Sequence, residues 1–268
     1  MELTIDNSNK NILFESEIYS DIKVLTIQEI EISELNLNLF PNLVSLNVSN
    51  ISLKKLDLSP CSNLTSLSCD SNRLTQLDLS PCSNLTALSC GDNQLKQLDL
   101  SPCSNLTKLF CDNNQLTQLD LSPCPNLTKL NCESNDLTDL DLSPCPNLNI
   151  LLINDNPNLT HISNSLIFLN RLTIFEYSNC PLELTRLQLQ FVNRLERRYS
   201  KRTIFEDSQN VHDSSIVKCI RDGLYNIFKN PEYKADKHCV EKMLQNEKLT
   251  ISIKSILRNR FDVKNTKS

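Results

Sequence analysis

Glycine is nearly missing from this chain of 268 residues: only Gly91 and Gly223 are present, and there is no tryptophan at all. A phosphate-cradling loop needs several glycines so that the backbone can close on the phosphates. Two glycines this far apart cannot build one, and nucleotide hydrolysis by that route is excluded. Histidine is almost as scarce, and His161, His212 and His238 form no metal-spaced cluster. No apolar run approaches the roughly 20 residues that a membrane-spanning helix needs. The opening stretch MELTIDNSNKNILFESEIYSD lacks the charged-then-apolar order of a secretory signal, so an intracellular, cytoplasmic protein with no membrane partner is expected. Acidic residues outnumber basic ones, 32 against 27, for a net charge of −5. The basic footprint of a nucleic-acid binder is absent, and no nucleic-acid partner is expected.

What the chain has in abundance is repetition. From Leu43 to Asn147 a phrase of the form LxxLxC..N.LxxLDLSPCxN returns every 21 residues, opened by Leu64, Leu85, Leu106 and Leu127 and closed at Pro60, Pro81, Pro102, Pro123 and Pro144. A unit that short cannot bury its own leucines, so copies must stack as a solenoid. Within a copy, Leu64-x-x-Leu67-x-Cys69 is echoed by Leu74-x-x-Leu77-x-Leu79, which predicts two short extended segments per coil. Alternate residues of an extended segment face opposite ways. Leu67 and Cys69 therefore point inward, while Ser66 and Ser68 point out.

The phrase resembles a leucine-rich repeat, of the short variety seen in internalin-like proteins. Its asparagine- and leucine-rich, glycine-poor wording is also similar to that of leucine-rich-repeat proteins from large DNA viruses. The resemblance implies an α/β fold, a right-handed leucine-rich repeat solenoid with a parallel β-sheet. It also implies a protein-interaction scaffold, without catalysis or cofactor, that presents its sheet to a protein partner. In such repeats the asparagine that recurs here as Asn72, Asn93, Asn114 and Asn135 turns inward to satisfy backbone groups at the bend.

Three regions follow. Residues 1–21, with Leu3, Ile5, Ile12, Leu13 and Phe14 as apolar positions, are expected to cap the first coil. Residues 22–183 hold about eight coils, atypical at both ends: Ile51 takes the asparagine place in the coil that starts at Leu43, and Cys180 takes it in the last. Between them, the coil that starts at Leu148 lengthens through Leu166 to Leu169 and reaches its successor after 24 residues. From residue 184 the period becomes helical, with Leu184, Leu187, Phe191 and Leu195 as the stripe of a docking helix. A second helix with Ile216, Ile220, Leu224 and Ile227, and two shorter ones, would make residues 184–268 a C-terminal helical module.

Nine of the 12 cysteines keep the repeat register. Cys69, Cys90, Cys111 and Cys132 occupy a core column, and Cys61, Cys82, Cys103, Cys124 and Cys145 follow the prolines. Parallel side chains about one strand spacing apart are near enough for disulfides by distance, but they do not point at one another, nor do they converge as zinc ligands must. Small reduced core residues are expected. Asp57, Asp78, Asp99, Asp120 and Asp141 form a carboxylate column that a cation could bridge, yet the loops lack the pattern of calcium-binding solenoids; a solvated face with serine and backbone partners is the plainer reading. Asn-Leu-Thr at Asn63, Asn84, Asn105, Asn126 and Asn158 is repeat grammar rather than a glycosylation signal. The basic run from Arg194 to Arg202 could hold an anion, a phosphate backbone or an acidic partner, but a solvated helix end is the plainer reading.

Function then rests on the outward rows of the first segments. These read Ser45 and Asn47, Ser66 and Ser68, Ala87 and Ser89, Lys108 and Phe110, Lys129 and Asn131, Ile150 and Leu152. The rows are bland until Lys108, and apolar side chains rimmed by polar ones mark interaction sites. Lys108, Phe110, Lys129, Asn131, Ile150 and Leu152 are thus the expected partner-binding residues of a monomer, with cover by the C-terminal helices the alternative for Ile150 and Leu152. A second function remains open: a substrate adaptor or ubiquitin ligase acting through the helical module, where Cys239 precedes Val240 and Glu241 and Cys219 lies nearby.

Overall fold

Stacking the 21-residue units in register gives each leucine a neighbour above and below, and the sheet follows from that. The computed structural model describes residues 1–14 and 17–202. Its strands are β1 (Glu2–Ile5), β2 (Val24–Ile27), β3 (Ser45–Asn47), β4 (Ser66–Ser68), β5 (Ala87–Ser89), β6 (Lys108–Phe110), β7 (Lys129–Asn131), β8 (Asp139–Leu140), β9 (Ile150–Leu152), β10 (His161–Ile162) and β11 (Ile174–Glu176). Nine of them form one parallel sheet in the order β1-β2-β3-β4-β5-β6-β7-β9-β11, so the chain is a parallel-sheet solenoid of about eight turns. Leu25, Leu46, Leu67, Leu88, Leu109, Leu130 and Leu151 are register partners from strand to strand and all are buried. The strands are only three residues long through most of the sheet because the chain turns sharply just beyond the buried cysteine.

Those turns are made almost without glycine. At one register position per coil, Glu29, Asn50, Ser71, Asp92, Asn113, Ser134, Asp155 and Asn179 in succession take a positive φ between 50° and 59°, and Ser52 adds a second such residue to its coil. Asn and Asp tolerate that region best among residues with a side chain. The next residue is the recurring asparagine, and it does turn inward. Asn93 Nδ2 donates to the carbonyls of Cys69, Cys90 and Gly91, and its Oδ1 accepts from the Leu74 N–H at 3.0 Å. Asn72, Asn114, Asn135 and Asn156 repeat the arrangement.

The second segment of each coil pairs sparsely. It pairs as a strand only between β8 and β10. Earlier coils hold one backbone bond each, such as Arg73 N–H to Leu53 O at 2.8 Å and Gln94 N–H to Leu74 O at 2.9 Å. The N–H groups of Leu53, Leu74 and Leu95 go to an asparagine side chain of the following coil, as does that of Leu137 just ahead of β8.

Residues before 22 join the sheet through β1, whose Ile5 is fully buried, while the 3-10 turn Lys10–Phe14 adds Leu13 to the core and leaves Phe14 exposed. At the other end the lengthened coil forms a 3-10 turn, Asn164–Phe168, with Leu166 and Leu169 inward and Phe168 out. Helix α1 (Arg186–Arg202) packs against that turn and β11. Its expected stripe needs a correction. Leu187 is 61% exposed, and Gln188 lies in its place, 2% exposed. Thr185 and Gln188 cap the helix reciprocally, with Thr185 N–H to Gln188 Oε1 at 2.8 Å. Gln188 Nε2 then reaches the carbonyls of Ile162 and Ser163, and this fixes the rotation of the helix. The helices expected beyond residue 202 lie outside the described residues, and among the described residues no helix is long and apolar enough to cross a membrane.

All nine register cysteines are buried free thiols. A thiol ordinarily ionises near 9; burial pushes Cys61 and Cys103 up to about 11 and Cys82, Cys124 and Cys145 up to about 12. Burial raises Cys69, Cys90, Cys111 and Cys132 further.

Two outcomes are expected. Asn114→Ala strands the Leu95 N–H in the interior, while Cys90 O, Cys111 O and Asp112 O keep their bonds from Asn93, Asn135 and the Asp92 N–H; at about 1–3 kcal/mol per unsatisfied buried group the loss should be about 1–3 kcal/mol, measured by urea unfolding. For the thiols, the unfolded chain releases protons from about pH 9 while the folded chain keeps them. Their contribution is complete below that pH and declines as pH rises through the folded values, by up to about 1.4 kcal/mol per pH unit per thiol. The urea midpoint should therefore fall from about pH 8.5 upward, and a thiol reagent at neutral pH should label these cysteines only after denaturation. Rapid native labelling of Cys90 or Cys111 would contradict the buried register.

Candidate interaction surface

Strand alternation sorts each rung into a buried leucine between two outward residues, and the six candidate residues lie on three adjacent rungs. Lys108 is the register partner of Lys129, which in turn meets Ile150; Phe110, Asn131 and Leu152 make the parallel row. The rows continue to Ile174 and Glu176 on β11. Lys108 is exposed, and Phe110, Lys129, Asn131, Ile150 and Leu152 are half-buried. No hydrogen bond or ion pair engages the side chains of Lys108 and Lys129 among the described residues.

The other half of the same face is chemically closed. Ser68 and Ser89 donate their hydroxyls to the Asp70 carboxylate at 2.9 and 2.7 Å, and the Gly91 N–H adds a third bond at 2.7 Å. Ser49 and Ser68 share a further hydroxyl contact. Beyond the strand, Asp70, Asp112 and Glu133 form an acidic edge broken by Gly91. A Cβ on Gly91 would stand 2.9 Å from Asp112 Oδ1, so the Asp112 carboxylate occupies the space that a side chain would take. Burial, aided by Asp92 and Asp70, raises the Asp112 carboxyl above its ordinary range. Asn154 donates to both Glu133 and Glu176. Neither the sequence period nor its composition signals this network, because it depends on side chains from different coils meeting at one point.

The Asp57 to Asp141 column is used locally. Each carboxylate accepts from the N–H of the serine two residues on, at 2.9 Å in every coil from Ser59 to Ser143. That bond, followed by the serine hydroxyl, lowers the carboxyls of the column. Among the described residues no group of three or more His, Cys, Asp and Glu is placed to hold a metal ion. A shallow groove beside the sheet passes Asn63, Thr65, Asn84 and Thr86, and it too is self-satisfied: Thr86 Oγ1 donates to Thr65 O and Asn84 Nδ2 to Ser62 O. Cys219 and Cys239, on which a ligase would depend, lie outside the described residues.

Neither a protein-family model nor a curated protein sequence matches the chain. Solved structures do. The internalin InlF of Listeria monocytogenes is 24% identical with a TM-score of 0.53, over 63% of this chain and 52% of that one. A Shigella effector leucine-rich-repeat domain is 28% identical with a TM-score of 0.51, over 66% of this chain and 74% of that one. TLR13, solved in complex with ssRNA13, is 21% identical with a TM-score of 0.54, over 69% of this chain and 29% of that one. The chain thus matches about half of the internalin's length, and its described fold is that of leucine-rich-repeat proteins.

Proposed function

We infer that the chain is a non-enzymatic protein-interaction scaffold that binds a protein partner across β6, β7 and β9. One observation carries the reading: along a single sheet face, the outward side chains from β3 to β5 are small or bonded to one another, and those from Lys108 onward present cations and large apolar groups without such partners. Half-buried apolar side chains rimmed by charge are the usual make-up of binding surfaces. In this reading the solenoid is right-handed, the sense that nearly all parallel crossovers take. The protein acts as an intracellular monomer, and the wording of the repeats reflects a large-DNA-virus relative. A cofactor has no part in it.

Phe110 separates recognition from folding. Its side chain stands on the outward row between Ser89 and Asn131, so Phe110→Ala should leave the urea midpoint nearly unchanged. Capture of the partner from cell extract should weaken by on the order of 1–2 kcal/mol or more. A large loss of stability with capture intact would make Phe110 a core residue and remove the proposal.

A further inference from the structure

The sheet face also specifies what kind of partner it suits, an inference that rests on the binding reading above. Lys108 and Lys129 are register partners, on strands about 4.8 Å apart. Like charges directly opposite each other are destabilising, and no acidic side chain among the described residues pairs with either lysine. An incoming anion would relieve that repulsion while satisfying both cations. Beside them the second row offers Phe110 and Leu152, each one rung from Asn131 and on opposite sides of it. The Asn131 Oδ1 between them already accepts from the Glu133 N–H at 3.1 Å.

From this juxtaposition we propose that Lys108 and Lys129 form a two-cation clamp beside an apolar seat, and that its occupant is a protein segment pairing one or two carboxylates with a large apolar side chain. A polyanion fits less well. A nucleic-acid strand running across the rungs needs cations at successive phosphates, but the lysine row continues into Ala87 and Ser66 on one side and Ile150 and Ile174 on the other. On each rung the strand also leads toward the acidic edge at Asp112 and Glu133, four residues beyond each lysine. The charge of the face is therefore local, enough for one or two carboxylates and no more.

The test uses the full chain as bait for a displayed library of random peptides about 12 residues long, more than the extended length needed to cross the patch. Selection is repeated against Lys108→Glu/Lys129→Glu and against Phe110→Ala, and unfolding midpoints verify that each variant is folded. The wild type should enrich peptides with Asp or Glu flanking a large apolar residue. Their affinity should fall at least about tenfold on charge reversal, as expected for a close charge pair, and also on loss of Phe110. Peptides that need Phe110 but lack acidic enrichment, or that ignore the charge reversal, would overturn the clamp and leave the binding surface standing. Recovery of nothing, or only of peptides indifferent to both variants, would overturn clamp and surface together. Binding of single-stranded poly(U) that disappears on charge reversal would assign the lysines to nucleic acid and overturn the proposal for a protein segment.

Discussion

The backward reach of one buried amide side chain per coil is the constraint on which the solenoid depends. At the end of each short strand the backbone turns inward of the surface, where water cannot satisfy its N–H and C=O groups. The asparagine of the following coil does so instead: Asn114 takes the Leu95 N–H and gives its amide hydrogens to Cys90 O and to carbonyls of its own coil. The direction of this reach explains the two exceptions. Ile51 can stand at an asparagine position because its own N–H and that of Leu53 are served by Asn72, and what Ile51 fails to supply falls on an end coil of different construction. At the far end Cys180 offers one donor, its thiol, to Ile153 O, and the Leu159 N–H of the preceding coil needs no side-chain acceptor because Asn156 O takes it at 3.1 Å.

Once that stitching is in place, the interior has little freedom. The leucine column and the two cysteine columns must repeat, because each residue packs on its own kind above and below. Interior packing is sensitive to the gain or loss of even one methylene. Cysteine suits a column close to the turn: it is small, apolar when protonated, and its weak S–H can point at a carbonyl of the neighbouring coil, as Cys145 does toward Cys124 O at 3.4 Å. Charge cannot enter there, which is why the thiols resist ionisation. Variation is confined to the outward rows and the turn.

This division determines what could be read from the chain. The strands, their register, the inward asparagines and the buried cysteines were legible because each is dictated by a period of 21 residues repeated with little error. Leu187 was misread because helical spacing gives a stripe but not its rotation. A capping pair and two unsatisfied carbonyls at Ile162 and Ser163 turned Gln188 inward, and those carbonyls are invisible in the sequence of the helix. How far the second segment pairs was not legible at all: its leucines bury as the pattern requires, yet burial alone does not make a ladder. Of the candidate surface, the outward placement of Lys108, Phe110, Lys129, Asn131, Ile150 and Leu152 followed from alternation. The closed state of the serine half did not, since Asp70 gathers donors from two coils.

The contrast between the two halves of the face bears on how such a scaffold acquires a partner. Ser68, Ser89 and Asp70 lower the cost of an exposed polar row by bonding among themselves, which removes groups that a partner could use. Lys108 and Phe110 sit on the same kind of rung, over the same buried leucine and cysteine, without that closure. Substituting an outward residue should therefore have little effect on the stack beneath, because its Cβ points away from the column that supplies stability. A solenoid with a nearly invariant interior can hold a rigid sheet while a few adjacent rungs carry the chemistry, and rigidity in turn limits the side-chain ordering that binding must overcome. The location of the patch at β6, β7 and β9 is consistent with this separation: it lies on the most regular part of the sheet and on the first coil after the regular copies, where register is fixed on both sides by paired strands.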